Sequence, residues 1–447
     1  MTRTALIFDA QKNRHLLALA LPMILSNVTV PLLGLVDTAV IGHLSDPYYL
    51  GGVAVGSTII TLIFWLLGFL RMATTGLVAQ AWGSGDDQRQ FQLLLQGASL
   101  TLMLSAIILL LQQPILNLAL SMTDASGDIM RYCREYFAVR IWATPFALMN
   151  LVLLGYLLGR HQPKAAMWQL IAANSVNILL DLLFVIYLGW GVKGAALASV
   201  CAEITAMTVA LIMVKRQLQL QGNFQLWHQL QQLTVAGYQQ LLRLNSDIFL
   251  RSLCLQAAFA FMTFHGAALG DITVAANAVL LNLLLLISYA LDGIAYYAEA
   301  ETGRSWGQNN RHALRDAVAL AFQWSAITAL LFMLVFALFG NGIISLLTDI
   351  ASVRDTAEQY LPWLIAMPLL AFGSYLFDGV YIGTAQGRIM RNSMMFCTFV
   401  IFFPTWWLLR EQGNTALWAA MAAFMLARSL TLGLHYRFRL SRALQER

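Results

Sequence analysis

The sequence predicts an all-α polytopic membrane protein, and three observations carry that prediction. Of 447 residues, 59% are hydrophobic and 11% charged, whereas a soluble domain carries about 25% charged residues. The mean hydropathy is +0.67. Apolar runs of about 20 residues or more recur from end to end, long enough to cross a hydrocarbon core as helices. A segment in lipid must satisfy its own backbone hydrogen bonds, and a closed barrel would instead show alternating segments of about 10 residues.

Twelve spans follow in order, each bounded by charge. Span 1 (15–43) opens behind Lys12 and Arg14, span 2 (50–82) contains Arg71, and span 3 (92–113) follows Arg89. Span 4 (132–159) runs from Arg131 to Arg160, span 5 (165–187) starts at Lys164, and span 6 (192–214) begins beside Lys193 and ends at Lys215 and Arg216. Residues 215–243 are the only long polar connection, and they fit a cytoplasmic linker. Span 7 (244–266) contains Asp247 and Arg251, span 8 (273–303) ends at Arg304, and span 9 (313–337) begins near Arg311 and Arg315. Span 10 (356–386) lies between Arg354 and Arg388, span 11 (391–409) between Arg391 and Arg410, and span 12 (415–436) ends at Arg437, Arg439 and Arg442.

With the amino terminus inside, the inner loops and tails hold eighteen Lys and Arg and the outer loops four, so both termini are expected in the cytoplasm. The net charge of +5 and pI near 9.1 have this topogenic origin, and a nucleic-acid partner is not expected. Residues 1–14 are polar and the first apolar segment is too long for a cleavable signal peptide, so span 1 should persist. Cys133, Cys201, Cys254 and Cys397 are isolated in apolar segments without metal or redox spacing. No GxxxxGK[ST] phosphate loop occurs, and no cofactor is expected; energy should come from an ion gradient.

Sliding the chain against itself by 224 residues aligns Trp82-Gly83 with Trp306-Gly307, and Tyr136, Gly155 and Gly159 with Tyr360, Gly379 and Gly383. One offset serving two separated helix pairs predicts a duplication into six-helix bundles, 1–214 and 244–447. Six is even, so both halves start on the cytoplasmic side as parallel repeats related by a pseudo-two-fold axis along the membrane normal.

Asp37, in an otherwise apolar first span, most narrows the function. A carboxylate near the bilayer core costs roughly 2.5–3.5 kcal/mol on insertion scales, and is tolerated where it faces a cavity, a partner or an exchangeable cation. By count from the outer ends of their spans, Asp37, Asp181 and Ser199 occupy one layer, with Asn177 on the same helix face as Asp181. These oxygens suit Na+ or one shared proton, because two desolvated acids repel each other and titrate as a unit. The other reading of Asp181 and Asn177 is polar glue between helices. Pro22, Pro31 and Gly34 allow span 1 to bend near Asp37.

Nearer the cytoplasm lie Arg71, Asp247, Arg251, Asp292 and Asp378. Asp247 and Arg251 are spaced to pair on one helix. Asp292 and Asp378 either line a cavity for cationic substrates or pair with Arg71 or Arg251. Glu299 and Glu301 are expected to be solvated at the inner end of span 8. Arg140 is a counter-ion candidate for the Asp37 layer, where it would oppose proton loading. His43 lies at the outer loop.

Residues 21–27 (LPMILSN), 31–44 (PLLGLVDTAVIGHL) and 50–56 (LGGVAVG) resemble the first two spans of the multidrug and toxic compound extrusion (MATE) family, most of all its DinF-like branch. Residues 174–185 (NSVNILLDLLFV) and 191–199 (GVKGAALAS) resemble that family's span 5 to span 6 signature. The resemblance implies an antiporter in the bacterial inner membrane that exports organic, often cationic or amphipathic, compounds in exchange for H+ or Na+. It maps the family's amino-terminal cation site onto Asp37, Asn177, Asp181 and Ser199, with serine where threonine is frequent, and matches Asp378 to an acid of span 10. A glutamate that some members carry in span 7 has no counterpart in residues 245–256 (NSDIFLRSLCLQ), which favours H+ over Na+. A lipid-linked sugar flippase of the same superfamily is the alternative, but it would want a cavity rich in Arg and Lys. An enzyme is not expected, since no paired metal motif or nucleophile with its base occurs. Nothing in the mechanism demands more than a monomer.

Overall fold

The computed structural model describes residues 9–42, 47–122, 127–219 and 235–440, with side chains throughout them except at 28–42, 47, 219, 235–237 and 439–440. Among these residues helices alternate with short turns, and no strand occurs. The first helix, α1, is Ala10–Gly42. Eleven more are long and apolar enough to cross a membrane: α2 Tyr48–Gly83, α3 Asp87–Leu110, α4 Gly127–Gly159, α5 Pro163–Tyr187, α6 Gly191–Leu218, α7 Tyr238–Ala268, α8 Asp271–Gly307, α9 Arg311–Leu347, α10 Ala351–Gly383, α11 Gly387–Gln412 and α12 Asn414–Phe438. Each coincides with a predicted span, and a short helix, Gln112–Ser121, follows α3.

Packing divides the chain into two compact units, one of residues 25–243 and the other of the residues up to Ile24 with those from Leu244 on. The first helix is therefore shared. Lys12 Nζ donates to Asp316 Oδ2 on α9 at 2.7 Å, Trp324 Nε1 donates to Asn13 Oδ1 at 2.8 Å, and Ile24 lies against Gly293 of α8. The expectation placed all of 1–214 in one bundle; the start of α1 packs instead with the later unit, where its polar side chains find partners. Of the expected linker 215–243, residues 220–234 fall outside the described residues.

The internal repeat is visible inside each unit. A Cβ on Gly155 of α4 would lie 2.6 Å from the carbonyl oxygen of Arg71 on α2, and one on Gly379 of α10 would lie 2.5 Å from that of Ala295 on α8. Gly159 meets the Thr75 carbonyl and Gly383 the Glu299 carbonyl in the same way. All four pairs obey the 224-residue offset. Lipid supplies no hydrophobic drive between helices, so close backbone approach at small residues is what lets van der Waals packing hold each pair.

The turns repeat as well. Gly85 (φ 72°) and Asn309 (φ 52°) take the left-handed conformation after α2 and α8. The next residues, Asp86 and Asn310, cap α3 and α9 by accepting from Arg89 N at 2.8 Å and Ala313 N at 3.0 Å. His161 (φ 57°) and Ala385 (φ 54°) close α4 and α10 identically. Asymmetry enters at local breaks: α4 is interrupted by a 3-10 turn at Ile141–Ala143, and π-helical turns occupy Leu182–Tyr187 of α5 and Cys397–Phe402 of α11. Such turns recur at functional sites.

Candidate functional site

Helices α2, α4, α5 and α6 of the amino-terminal unit line a cavity of about 690 Å³, within the range of small-molecule sites. Leu50, Val53, Ile60, Phe64 and Trp65 supply apolar surface, while Ser57, Thr58, Thr61, Tyr136, Asn150 and Asn174 supply polar atoms. Room comes from small residues on α6, Ala195, Ala202 and Ala206, spaced so that one face of the helix recedes. Thr58 Oγ1 donates to the Ala54 carbonyl at 2.7 Å, which leaves its lone pairs as acceptors. Gln169 donates to Asn150 Oδ1 and fixes that amide's orientation.

Three residues of the expected cation layer line this cavity together: Asn177, Asp181 and Ser199. Asp181 is 2% exposed and Asn177 3%. The Asn177 amide donates to Asp181 Oδ2 at 2.7 Å, as their spacing on one helix face requires. The π-turn of α5 begins at Leu182, directly after the carboxylate. Asp37, Pro31 and Gly34 lie on α1 among residues whose side chains are outside the described ones, and His43 lies outside them altogether. Pro22 is buried, and the helix continues through it.

Arg140 lines the same cavity, but its carboxylate partner is Glu203, one turn beyond Ser199 on α6. The Nη2–Oε1 distance is 3.1 Å, and the guanidinium also lies 5.4 Å from the centroid of the Phe64 ring. Sequence reasoning missed Glu203. Its signal was available: an acid in the middle of an apolar helix, four residues after a site serine.

The second expected group divides between the units. Arg71 is buried on α2, where it donates to Thr75 Oγ1 at 3.5 Å. In the carboxyl-terminal unit, Asp378 receives Arg251 and Arg428 on the same oxygen, Oδ2, with Arg428 at 2.8 Å. Arg428 is 2% exposed and was not foreseen. Asp247 pairs with Arg391 of α11 at 2.5 Å, so the expected pairing of Asp247 with Arg251 along one helix is corrected: each side chain turns to an oppositely charged partner on another helix, Arg391 for Asp247 and the buried Asp378 for Arg251. Asp292 is half-buried on α8. Glu299 is 2% exposed and so not solvated as expected, because its stretch of α8 faces Gly383 of α10 at backbone contact. Glu301 accepts from Arg304 at 3.2 Å and lies 3.3 Å from His15 Nε2.

Chemically, the cavity of the amino-terminal unit combines a buried carboxylate oriented by an amide, a hydroxyl, an internally neutralised acid–base pair and apolar walls. Asp181, Asn177 and Ser199 present oxygen atoms to it of the kind that hold a small cation or a proton, and its volume is that of a small-molecule site.

Comparison with known proteins finds a family match in two segments. A family model described as MatE matches residues 22–183 and 248–408. The chain is 43% identical over 435 residues to DNA damage-inducible protein F of Escherichia coli (strain K12), covering 96% of this chain and 93% of that protein. It is 26% identical over 391 residues to multidrug and toxin extrusion protein 1 of Oryctolagus cuniculus, covering 86% of this chain and 65% of that one. Among solved structures, the outward-facing conformation of a multidrug resistance MATE family transporter of the MOP superfamily superposes with a TM-score of 0.88 at 21% identity, covering 97% of this chain and 96% of that one. At that identity the likeness speaks for the fold.

Proposed function

The chain belongs to the MatE family, and from that premise we propose that this multi-pass membrane transporter exports organic, cationic or amphipathic compounds in exchange for an inward cation. The observation that carries the reading is Asp181, 2% exposed, hydrogen-bonded to Asn177 and facing a cavity. A buried carboxylate in a membrane segment is costly unless it does work there. Asp181, Asn177 and Ser199, with Asp37 of α1, form the coupling site; its ion is H+ in preference to Na+. Loading the site neutralises the carboxylate, so the loaded and empty forms favour different arrangements of the helices around it. Coupling then extends only as far as substrate and ion prefer different conformations. The protein acts as a transporter rather than an enzyme, in a bacterial inner membrane, with both termini cytoplasmic and the monomer as the working unit.

The test is counterflow of ethidium in proteoliposomes of the purified full-length chain under imposed H+ or Na+ gradients, comparing the native protein with Asp181→Asn and Asp37→Asn. Gradient-driven exchange that both variants lose, while eluting as folded protein, is the expected result and identifies the ion. Native protein that moves no organic cation under either gradient would sink the antiport reading and direct attention to lipid-linked anionic substrates.

A further inference from the structure

A bare guanidinium in the cavity would work against ion loading, since a fixed positive charge that shares the cavity with Asp181 repels an arriving proton or cation. Arg140 lines the same cavity as Asp181. We propose that Glu203 is a positioning residue for the coupling reaction: it captures the charge of Arg140 and thereby leaves Asp181 able to load its ion. This rests on the reading of Asp181 as the loading site.

Four observations support the assignment. Glu203 Oε1 holds Arg140 Nη2 at 3.1 Å, with the two side chains 24% and 11% exposed. An ion pair this sheltered adds little to stability, because desolvation offsets most of the attraction; a role in tuning the site accounts better for its presence. The Nη1 atom of Arg140 is buried with no hydrogen-bond partner among the described residues, so the guanidinium has a donor to spare for another carboxylate if Glu203 releases it. Finally, Arg140 sits just before the 3-10 turn that interrupts α4 at Ile141–Ala143, and its guanidinium lies 5.4 Å from the centroid of the Phe64 ring.

The charged and titratable groups facing the cavity are few. Helix α4 contributes Arg140 and Tyr136, α5 contributes Asp181, α6 contributes Glu203, and α2 contributes only hydroxyls among its described lining residues; Asp37 on α1 is outside the described side chains. With Glu203 in place the pair is neutral, and the Asn177 amide orients an Asp181 that no net charge of the pair disturbs. Without it, Asp181 faces an uncompensated cation.

The experiment is the pH profile of gradient-driven ethidium counterflow in proteoliposomes for the native chain, Glu203→Gln, Arg140→Met and the double variant. Removing Glu203 should move the midpoint about one pH unit to the acid side, a tenfold higher proton concentration for the same loading. Removing Arg140 leaves an extra anion and should move it to the alkaline side. The double variant should return to the native midpoint. Opposite shifts that cancel are a signature of charge, which a merely structural role would not produce. A native profile in Glu203→Gln, or a shift that the double variant does not reverse, overturns the proposal. If Glu203→Gln does not fold, an unshifted Arg140→Met overturns it just as well. Native protein without gradient-driven exchange fails the antiport reading itself, and this inference falls with it; native exchange with a flat variant series fails this inference alone.

Discussion

Two buried aspartates in this chain have different partners, and the proposed division between coupling and scaffolding follows from that difference. Asp378 has two resident cations, Arg251 and Arg428, and both guanidinium groups also carry a buried Nε without an acceptor among the described residues. Neutralising that carboxylate strands two buried positive charges. Asp378→Asn is therefore expected to destabilise the protein by about 3–5 kcal/mol, read as a large fall in the thermal unfolding midpoint in detergent. Asp181 accepts from the neutral Asn177 amide, a contact that an asparagine at 181 can keep, so Asp181→Asn should lower that midpoint less than Asp378→Asn does while abolishing coupling. A comparable loss of stability in both would remove the distinction. Asn177→Ala removes a hydrogen bond that favours the ionised form of Asp181, worth about 1.5–3 kcal/mol for a bond to a charged group, and should make proton loading easier, moving the midpoint of the pH profile of exchange by roughly one unit or more to the alkaline side. At this scale the sequence was half legible. Depth and helix periodicity brought Asn177, Asp181 and Ser199 together, because those are properties of single helices. Ion-pair partners were not legible: Asp247 has a cation four residues away but pairs with Arg391 on another helix, and Arg428 reaches Asp378 from 50 residues on in the chain.

The helices themselves were legible in number and place, since apolar length is a local property and lipid admits no other backbone solution, while their ends ran beyond the apolar stretch, as in α9, which continues to Leu347 rather than 337. The repeat was legible too, and the structure supplies its physical cause. Gly155 and Gly379 recur at one offset because each sits where a neighbouring carbonyl leaves no room for a Cβ. Gly155→Ala and Gly379→Ala are thus expected to cost similar amounts, about 1–3 kcal/mol each, since backbone rather than a flexible side chain must yield. Gly342, in α9, has nothing within 4 Å of the place a Cβ would occupy, and Gly342→Ala should gain up to about 1 kcal/mol from helix propensity. Thermal unfolding of the three variants checks both signs; equal effects at Gly155 and Gly342 would show that crowding is not what holds these glycines in place. The π-turns were not legible, because a run such as 182–187 reads as ordinary apolar helix. They matter for α5, where the altered register begins one residue after Asp181.

At the scale of the molecule, topology links the charge pattern to the repeat. The matched turns at Gly85 and Asn309, and those at His161 and Ala385, each follow an even-numbered helix. If every helix crosses once, all four lie on one side of the membrane. By the positive-inside rule, the cations near them, Arg160, Arg304, Arg311 and Arg388, make that the side expected in the cytoplasm. The opposite turns carry few Lys and Arg. The expectation is tested by replacing Cys133, Cys201, Cys254 and Cys397, which form no disulfide, and then placing single cysteines at exposed positions. Cysteines at Ser84 and Gln308 should resist a membrane-impermeant maleimide applied to intact spheroplasts and react after permeabilisation. Those at Asp271 and Asp349, exposed at the other ends of α8 and α9, should react at once. Reversed labelling at all four would invert the topology and with it the direction assigned to transport. Labelling that differed between Ser84 and Gln308 would break the parallel repeat, because two halves of six crossings each must return their equivalent turns to the same face.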